Sequence, residues 1–155
     1  MKKIMMLFMV SVFFLMGGMS DGTAQKRENG IAGKSINFPE YIHARPGETV
    51  RMYFQLSSEH SNWNAIGLCF QRLGNGLKPL VVLFRNGNVL YPPDMDHRLS
   101  ISFDSSRSLV TVTLSNVKAE DEGIYYFAVR IDSVWSFWSG GIYLTIINPQ
   151  PFVKN

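Results

Sequence analysis

The stretch that most constrains the chain is Asp121-Glu122-Gly123-Ile124-Tyr125-Tyr126-Phe127. Asp121 and Gly123 are turn formers, and the run from Ile124 to Val129 is rich in β-formers. A turn that passes directly into a strand fixes which side chains share a face. Tyr125 and Phe127 point one way, Tyr126 and Ala128 the other. The same grammar recurs along the chain. After the turn signal Arg45-Pro46-Gly47-Glu48, the residues Val50, Met52, Phe54 and Leu56 alternate with polar ones. Leu99 and Ile101 do so again, and then Val110, Val112 and Leu114. Short alternating strands between turn signals describe an all-β chain.

The N-terminus reads differently. Lys2 and Lys3 precede an apolar run from Ile4 to Met16, followed by small residues, which is the pattern of a secretory signal peptide. Cleavage after Ser20 or after Ala24 fits the small-residue rule, and Ala24 is preferred, so residues 1–24 are assigned to the signal. Residues 25–35 form a polar leader and residues 148–155 a tail with Pro149 and Pro151. The apolar run is short for a membrane span, and none follows it, so no membrane span is expected after signal cleavage. Removing Lys2, Lys3 and Asp21 from a chain of formal charge +3 leaves about +2. That charge is too weak and too dispersed for nucleic-acid binding. One domain's worth of chain remains, with its core expected within residues 36–147.

The central stretch resembles Asp-x-Gly-x-Tyr-x-Cys, which opens strand F of immunoglobulin V-type domains, with Phe127 in place of the Cys. Val50 to Phe54 resembles strand B, Gly-x-x-Val-x-Leu-x-Cys, with Phe54 at the Cys position. Leu68-Cys69-Phe70-Gln71 resembles strand C, Trp-Tyr-x-Gln, with Leu68 at the Trp position. The resemblance implies an antiparallel β-sandwich of the V type. Strand A is expected over Ile36–Ile42, C′ over Val81–Phe84 after a turn at residues 73–80, and C″ near Asn88–Tyr91. D is expected over Arg98–Phe103, E over Leu109–Leu114, and G over Gly140–Ile147. Trp138-Ser139-Gly140-Gly141 stands where the family has a Phe-Gly-x-Gly bulge. The resemblance also implies that the Tyr125 hydroxyl bonds back to the backbone, and that Arg98 pairs with Asp121.

In the family a disulfide packed on a Trp joins the two sheets. Here all three members are replaced, by Phe54, Phe127 and Leu68. A bridge closing roughly seventy residues contributes on the order of 4 kcal/mol in the chain-entropy picture. Two phenylalanines meeting edge-to-face would return ~0.5–1.5 kcal/mol beyond burial, and the smaller Leu68 makes room for them. The three departures are expected to form one compensated repacking.

Cys69 is then the only cysteine. Alternation places it on the outer GFCC′ face with Gln71, Tyr126, Ala128 and Arg130. There it is either an available thiol, open to intermolecular pairing, or a small residue buried beneath the F–G loop. In antibody variable domains this face pairs two domains.

No catalytic or phosphate-binding motif occurs, and His43, His60 and His97 are expected to be solvated rather than metal ligands. No enzyme activity, cofactor or metal is expected. The candidate partner-binding site is an F–G loop over residues 130–138, with Arg130, Asp132, Val134, Trp135 and Phe137, joined by Trp63 from the loop at residues 57–64 and by the loop from Arg85 to Tyr91. Trp138 is expected to pack on the sheet, and Trp135 to be free. The resulting expectation is a secreted single V-type domain that binds a protein, as a soluble receptor-like or decoy module, including a viral one. The alternative is a self-associating subunit that dimerises through its GFCC′ face.

Overall fold

A computed structural model describes residues 40–93, 97–137 and 140–148. The signal, the leader, the first half of the expected strand A, Trp138 and most of the tail lie outside them. Within the described residues ten strands form two sheets: β1 Glu40–Ala44, β2 Val50–Gln55, β3 Ala65–Gln71, β4 Lys78–Phe84, β5 Val89–Leu90, β6 Leu99–Asp104, β7 Leu109–Leu114, β8 Gly123–Ile131, β9 Val134–Phe137 and β10 Ile142–Ile146. The larger sheet runs β1-β10-β8-β3-β4-β5, with β9 also paired to β8, and the smaller runs β2-β7-β6. No α-helix occurs among the described residues.

Alternation decides which side of each strand faces the gap between the sheets. In β2, Val50, Met52 and Phe54 are buried while Arg51, Tyr53 and Gln55 are exposed. In β7, Val110, Val112 and Leu114 are buried. Leu68 from β3 and Tyr125 and Phe127 from β8 complete the centre. Thus Phe54, Leu68, Tyr125 and Phe127 sit in one core, with Val117 closing its lower end.

The Phe54 and Phe127 rings lie 5.1 Å apart with planes only 11° from parallel. They are stacked, not edge-to-face as expected. Side chains reaching inward from facing sheets share a gap of ~10 Å, and two rings fit that gap by lying side by side. Leu68 pairs directly with Phe127 in the register of β3 and β8.

Several strand bounds differ from expectation, and β1 runs on to Ala44 and β10 covers only Ile142–Ile146. β4 begins at Lys78 rather than Val81, because a register shift after Leu68 sets Pro79 opposite Cys69. A proline lacks the N–H a regular ladder needs, and a bulge accommodates it. β6 runs one residue later than expected, over Leu99–Asp104. The largest difference is at residues 130–138, where a loop was expected. β8 continues to Ile131, Asp132 and Ser133 make a two-residue turn, and β9 returns from Val134 to Phe137. Asp132 and Ser133 both have positive φ, 47° and 71°, as the tight hairpin turn that matches strand twist requires.

Strand G is therefore divided. Phe137 faces Ala128 and Ile142 faces Tyr125, so the returning strand carries two more residues than its partner between those pairs. The offset falls between Phe137 and Ile142, the stretch that holds the expected bulge. Gly141 needs its freedom there: φ is +97°, and a Cβ would sit 3.0 Å from Ile124 Cγ2 and 3.2 Å from Tyr126 Cε1.

Candidate functional site

The strand directions gather four connections at one end of the sandwich: the β2–β3 loop, the β4–β5 turn, the β6–β7 turn and the β8–β9 hairpin. Backbone bonds join them. Asn64 N–H donates to the Arg130 carbonyl at 2.9 Å, Arg85 N–H to the Asn64 carbonyl at 3.0 Å, and Leu56 N–H to the Ser108 carbonyl at 2.9 Å. Arg85 acts as a clamp. Its Nη1 donates to the carbonyls of Ser61 at 2.7 Å and Trp63 at 3.1 Å, while its guanidinium lies 5.6 Å over the Trp63 ring.

Two aromatic residues expected to face a partner do not. Trp63 is only 3% exposed and meets Phe103 edge-on, with centroids 5.0 Å apart. It fills the upper core, and its polar neighbours in sequence gave no sign of that. Trp135 is 1% exposed. Because β9 is a strand rather than a loop, Trp135 stands opposite Arg130 on the outer face of the larger sheet, in a buried cluster with Ala65, Cys69, Val82 and Ala128. His60, expected in solvent, is also buried. Its Nδ1 accepts the Ser57 N–H at 3.1 Å and lies 3.0 Å from Ser57 Oγ, bracing the same loop.

Arg130, Asp132 and Val134 remain at the hairpin. Asp132 and Val134 are exposed, Val134 at 59%, and Arg130 is half-buried with Nη2 donating to Ser133 Oγ at 3.5 Å. Phe137 ends the hairpin in register with Ala128. Sequence reasoning placed Arg85 in a loop at this end but did not foresee its clamp. The turn beside it, closed by the Gly87 N–H on the Phe84 carbonyl at 2.9 Å, carries no sequence sign of the clamp.

On the outer sheet face, Gln71 and Tyr126 are half-buried and Cys69 is fully buried. Of the two readings for Cys69, the structure selects the small residue beneath the hairpin, and burial pushes its thiol pKa up to about 12. The lower half of that face is more open. Tyr41, 64% exposed, stacks on Tyr143 at 5.1 Å, and Leu73 in the β3–β4 turn is 99% exposed. A groove of about 360 Å³ lies there, between residues 71–74, 122–124 and 143–145. Its one carboxylate, Glu122, accepts the Ile146 N–H at 2.8 Å.

At the same lower end, Arg98 forks onto Asp121, with Nη1–Oδ2 at 2.7 Å and Nη2–Oδ1 at 2.9 Å. Arg98 Nη1 also reaches the Asn116 carbonyl at 3.0 Å, and Asp121 accepts the Lys118 N–H at 2.8 Å. The Tyr125 hydroxyl donates to the Asp121 carbonyl at 2.7 Å, and burial pushes its pKa far above the ordinary phenol value. This network locks the turn before β8. Among the described residues no group of three or more His, Cys, Asp or Glu side chains is placed to hold a metal ion.

Comparisons with known proteins agree with this architecture. The immunoglobulin V-set domain family matches residues 37–147. The chain is similar to an IgW heavy chain V region of Heterodontus francisci, 27% identical over 70% of this chain and 91% of that one. It is also similar to two Mus musculus proteins: the immunoglobulin iota chain, 30% identical over 63% of this chain and 70% of that one, and the immunoglobulin omega chain, 33% identical over the same shares. V-set domains are in general extracellular, non-catalytic modules that bind proteins. With β1 beside β10, two strands between β3 and β6, and the tyrosine anchored at the turn before β8, this chain belongs to the immunoglobulin V-set family.

Proposed function

We propose that the chain is a secreted single V-type domain that binds a protein partner through its hairpin end, as a soluble receptor-like or decoy module of host or viral origin. Residues 1–24 serve as its signal peptide in this reading. The observation that carries it is the presentation of Val134: an apolar side chain 59% exposed beside a two-residue turn. Arg130 and Asp132 flank it, and the Arg85 clamp braces the loops behind. An exposed apolar group in a rigid polar surround costs little entropy to bury against a partner.

The test uses the protein secreted from cells and applied to a panel of cell surfaces. The expected result is protease-sensitive binding that weakens at least ~10-fold in Val134→Glu, the size of a modest hot spot. Leu73→Glu, at the opposite end, should leave binding unchanged. If Leu73→Glu abolishes binding and Val134→Glu does not, the hairpin is not the contact. The rival, self-association through the GFCC′ face, predicts a dimer in sedimentation of the natural protein. Only Gln71 and Tyr126 of its three named residues are accessible for it.

A further inference from the structure

We infer that Trp135 is a built-in cover for the upper outer face of the larger sheet, taking the place that a second domain would fill and keeping this chain single through that face. Four of the residues in this cluster, Ala65, Cys69, Val82 and Ala128, project from the side of the sheet away from the core, yet none is more than 1% exposed. An outward row so thoroughly buried needs something over it. Trp135 belongs to that same cluster, with Leu77, Phe84 and Leu90 packed around it, partly buried.

Fit and chain path both favour the cover. The side chains from β3 and β8 in the cluster are small, Ala65, Cys69 and Ala128, and Gly67 lies between the first two on the same face of β3. A large flat ring can therefore settle close to the backbone. Its placement depends on the hairpin, since only the tight turn at Asp132 and Ser133 sets Trp135 opposite Arg130.

The arrangement is held against opposing terms. Trp135 Nε1 and Arg130 Nε are buried without a hydrogen-bond partner, and two residues other than glycine adopt positive φ at the turn. Burial of unpaired donors and left-handed backbone both cost free energy. They persist because the ring's apolar contact with the face outweighs them. Removing the ring while keeping the fold would expose a contiguous apolar patch on an outward sheet face, and such a patch favours association with a second copy.

This inference does not depend on which protein the hairpin binds, and its test uses no partner. Cys69 is the reporter. In the natural protein, an aromatic disulfide reagent should modify Cys69 no faster than the whole domain unfolds, measured by proteolysis of the same sample, and sedimentation should show a monomer. Trp135→Ala, folded by circular dichroism, should react at least ~10-fold faster, because local opening replaces global unfolding as the route. It should also form a dimer that grows with concentration. Trp135→Phe should restore most of the protection and the monomer. Fast modification of natural Cys69, or a natural dimer whose formation shields Gln71 and Tyr126 from exchange, overturns the inference even if Trp135→Ala fails to fold. So does a folded Trp135→Ala that keeps the natural reaction rate, and one that reacts quickly but stays monomeric overturns the pairing part.

Discussion

Phe54, Phe127 and Leu68 carry the most informative residue-level choice. The stacked pair stands on the two strands that a disulfide would join, and Leu68 is the register partner of Phe127. If the three form one packing unit, their effects on stability must be coupled, as for any residues in contact. Phe127→Ala is expected to cost ~3–5 kcal/mol, the range for a deleted core aromatic. Leu68→Trp should overpack and lower the melting temperature in the natural background. With Phe54→Cys and Phe127→Cys together, the same Leu68→Trp change should raise it. Thermal melts of the four combinations give the sign in each background, and equal signs would mean that the sites act independently.

Cys69 supplies a pH prediction at the same scale. Its folded pKa is raised to about 12 by burial, whereas an unfolded thiol titrates near ~8.5. Above that lower value the unfolded chain loses a proton that the folded chain keeps. The unfolded state then binds fewer protons, so stability falls as pH rises. The contribution is fully present below about 8.5 and is lost progressively toward 12. Cys69→Ala should therefore melt with a shallower alkaline decline than the natural chain, seen as a narrowing gap between their melting temperatures from pH 8 upward.

Among the elements, the β8–β9 hairpin shows where the sequence was silent. The alternating strands β2, β6, β7 and β8 were legible because each buries one face and keeps polar residues on the other. The E–F corner was legible for a local reason, since its turn residues and its tyrosine are adjacent in sequence. The hairpin was not, because Asp132-Ser133 lacks the glycine that usually marks a two-residue turn, and Val134-Trp135-Ser136-Phe137 is too short to distinguish strand from aromatic loop. The burial of Trp63 and Trp135 depends on what lies opposite them in space, and nothing within a few residues of either encodes that. The turn is also where stability can be gained. Asp132→Asn with Ser133→Gly replaces two strained positions with residues that tolerate positive φ. A gain of ~1 kcal/mol is expected, read as a higher denaturant midpoint with an unchanged slope, provided that the hairpin keeps its register.

For the whole molecule, the direction of the last strand matters most. β10 pairs antiparallel with β8 and parallel with β1, so it runs away from the hairpin toward the Arg98–Asp121 corner. The Ile147 N–H is fastened to the Ala44 carbonyl at 2.8 Å as the chain leaves the sheet. The domain thus has a polarity, with the proposed binding tip at one pole and the exit of the chain from the sheet at the other. Two copies tethered behind residue 148 would aim both tips outward together rather than at each other. On a densely coated sensor surface such a tandem should dissociate ~10²–10⁴ times more slowly than a single copy, the range by which linked sites exceed either alone. On a sparse surface it should match the single copy. Tethered at the tip, near Arg85 or Asp132, the same pair should lose that advantage, because its two contact surfaces would be turned toward the linker.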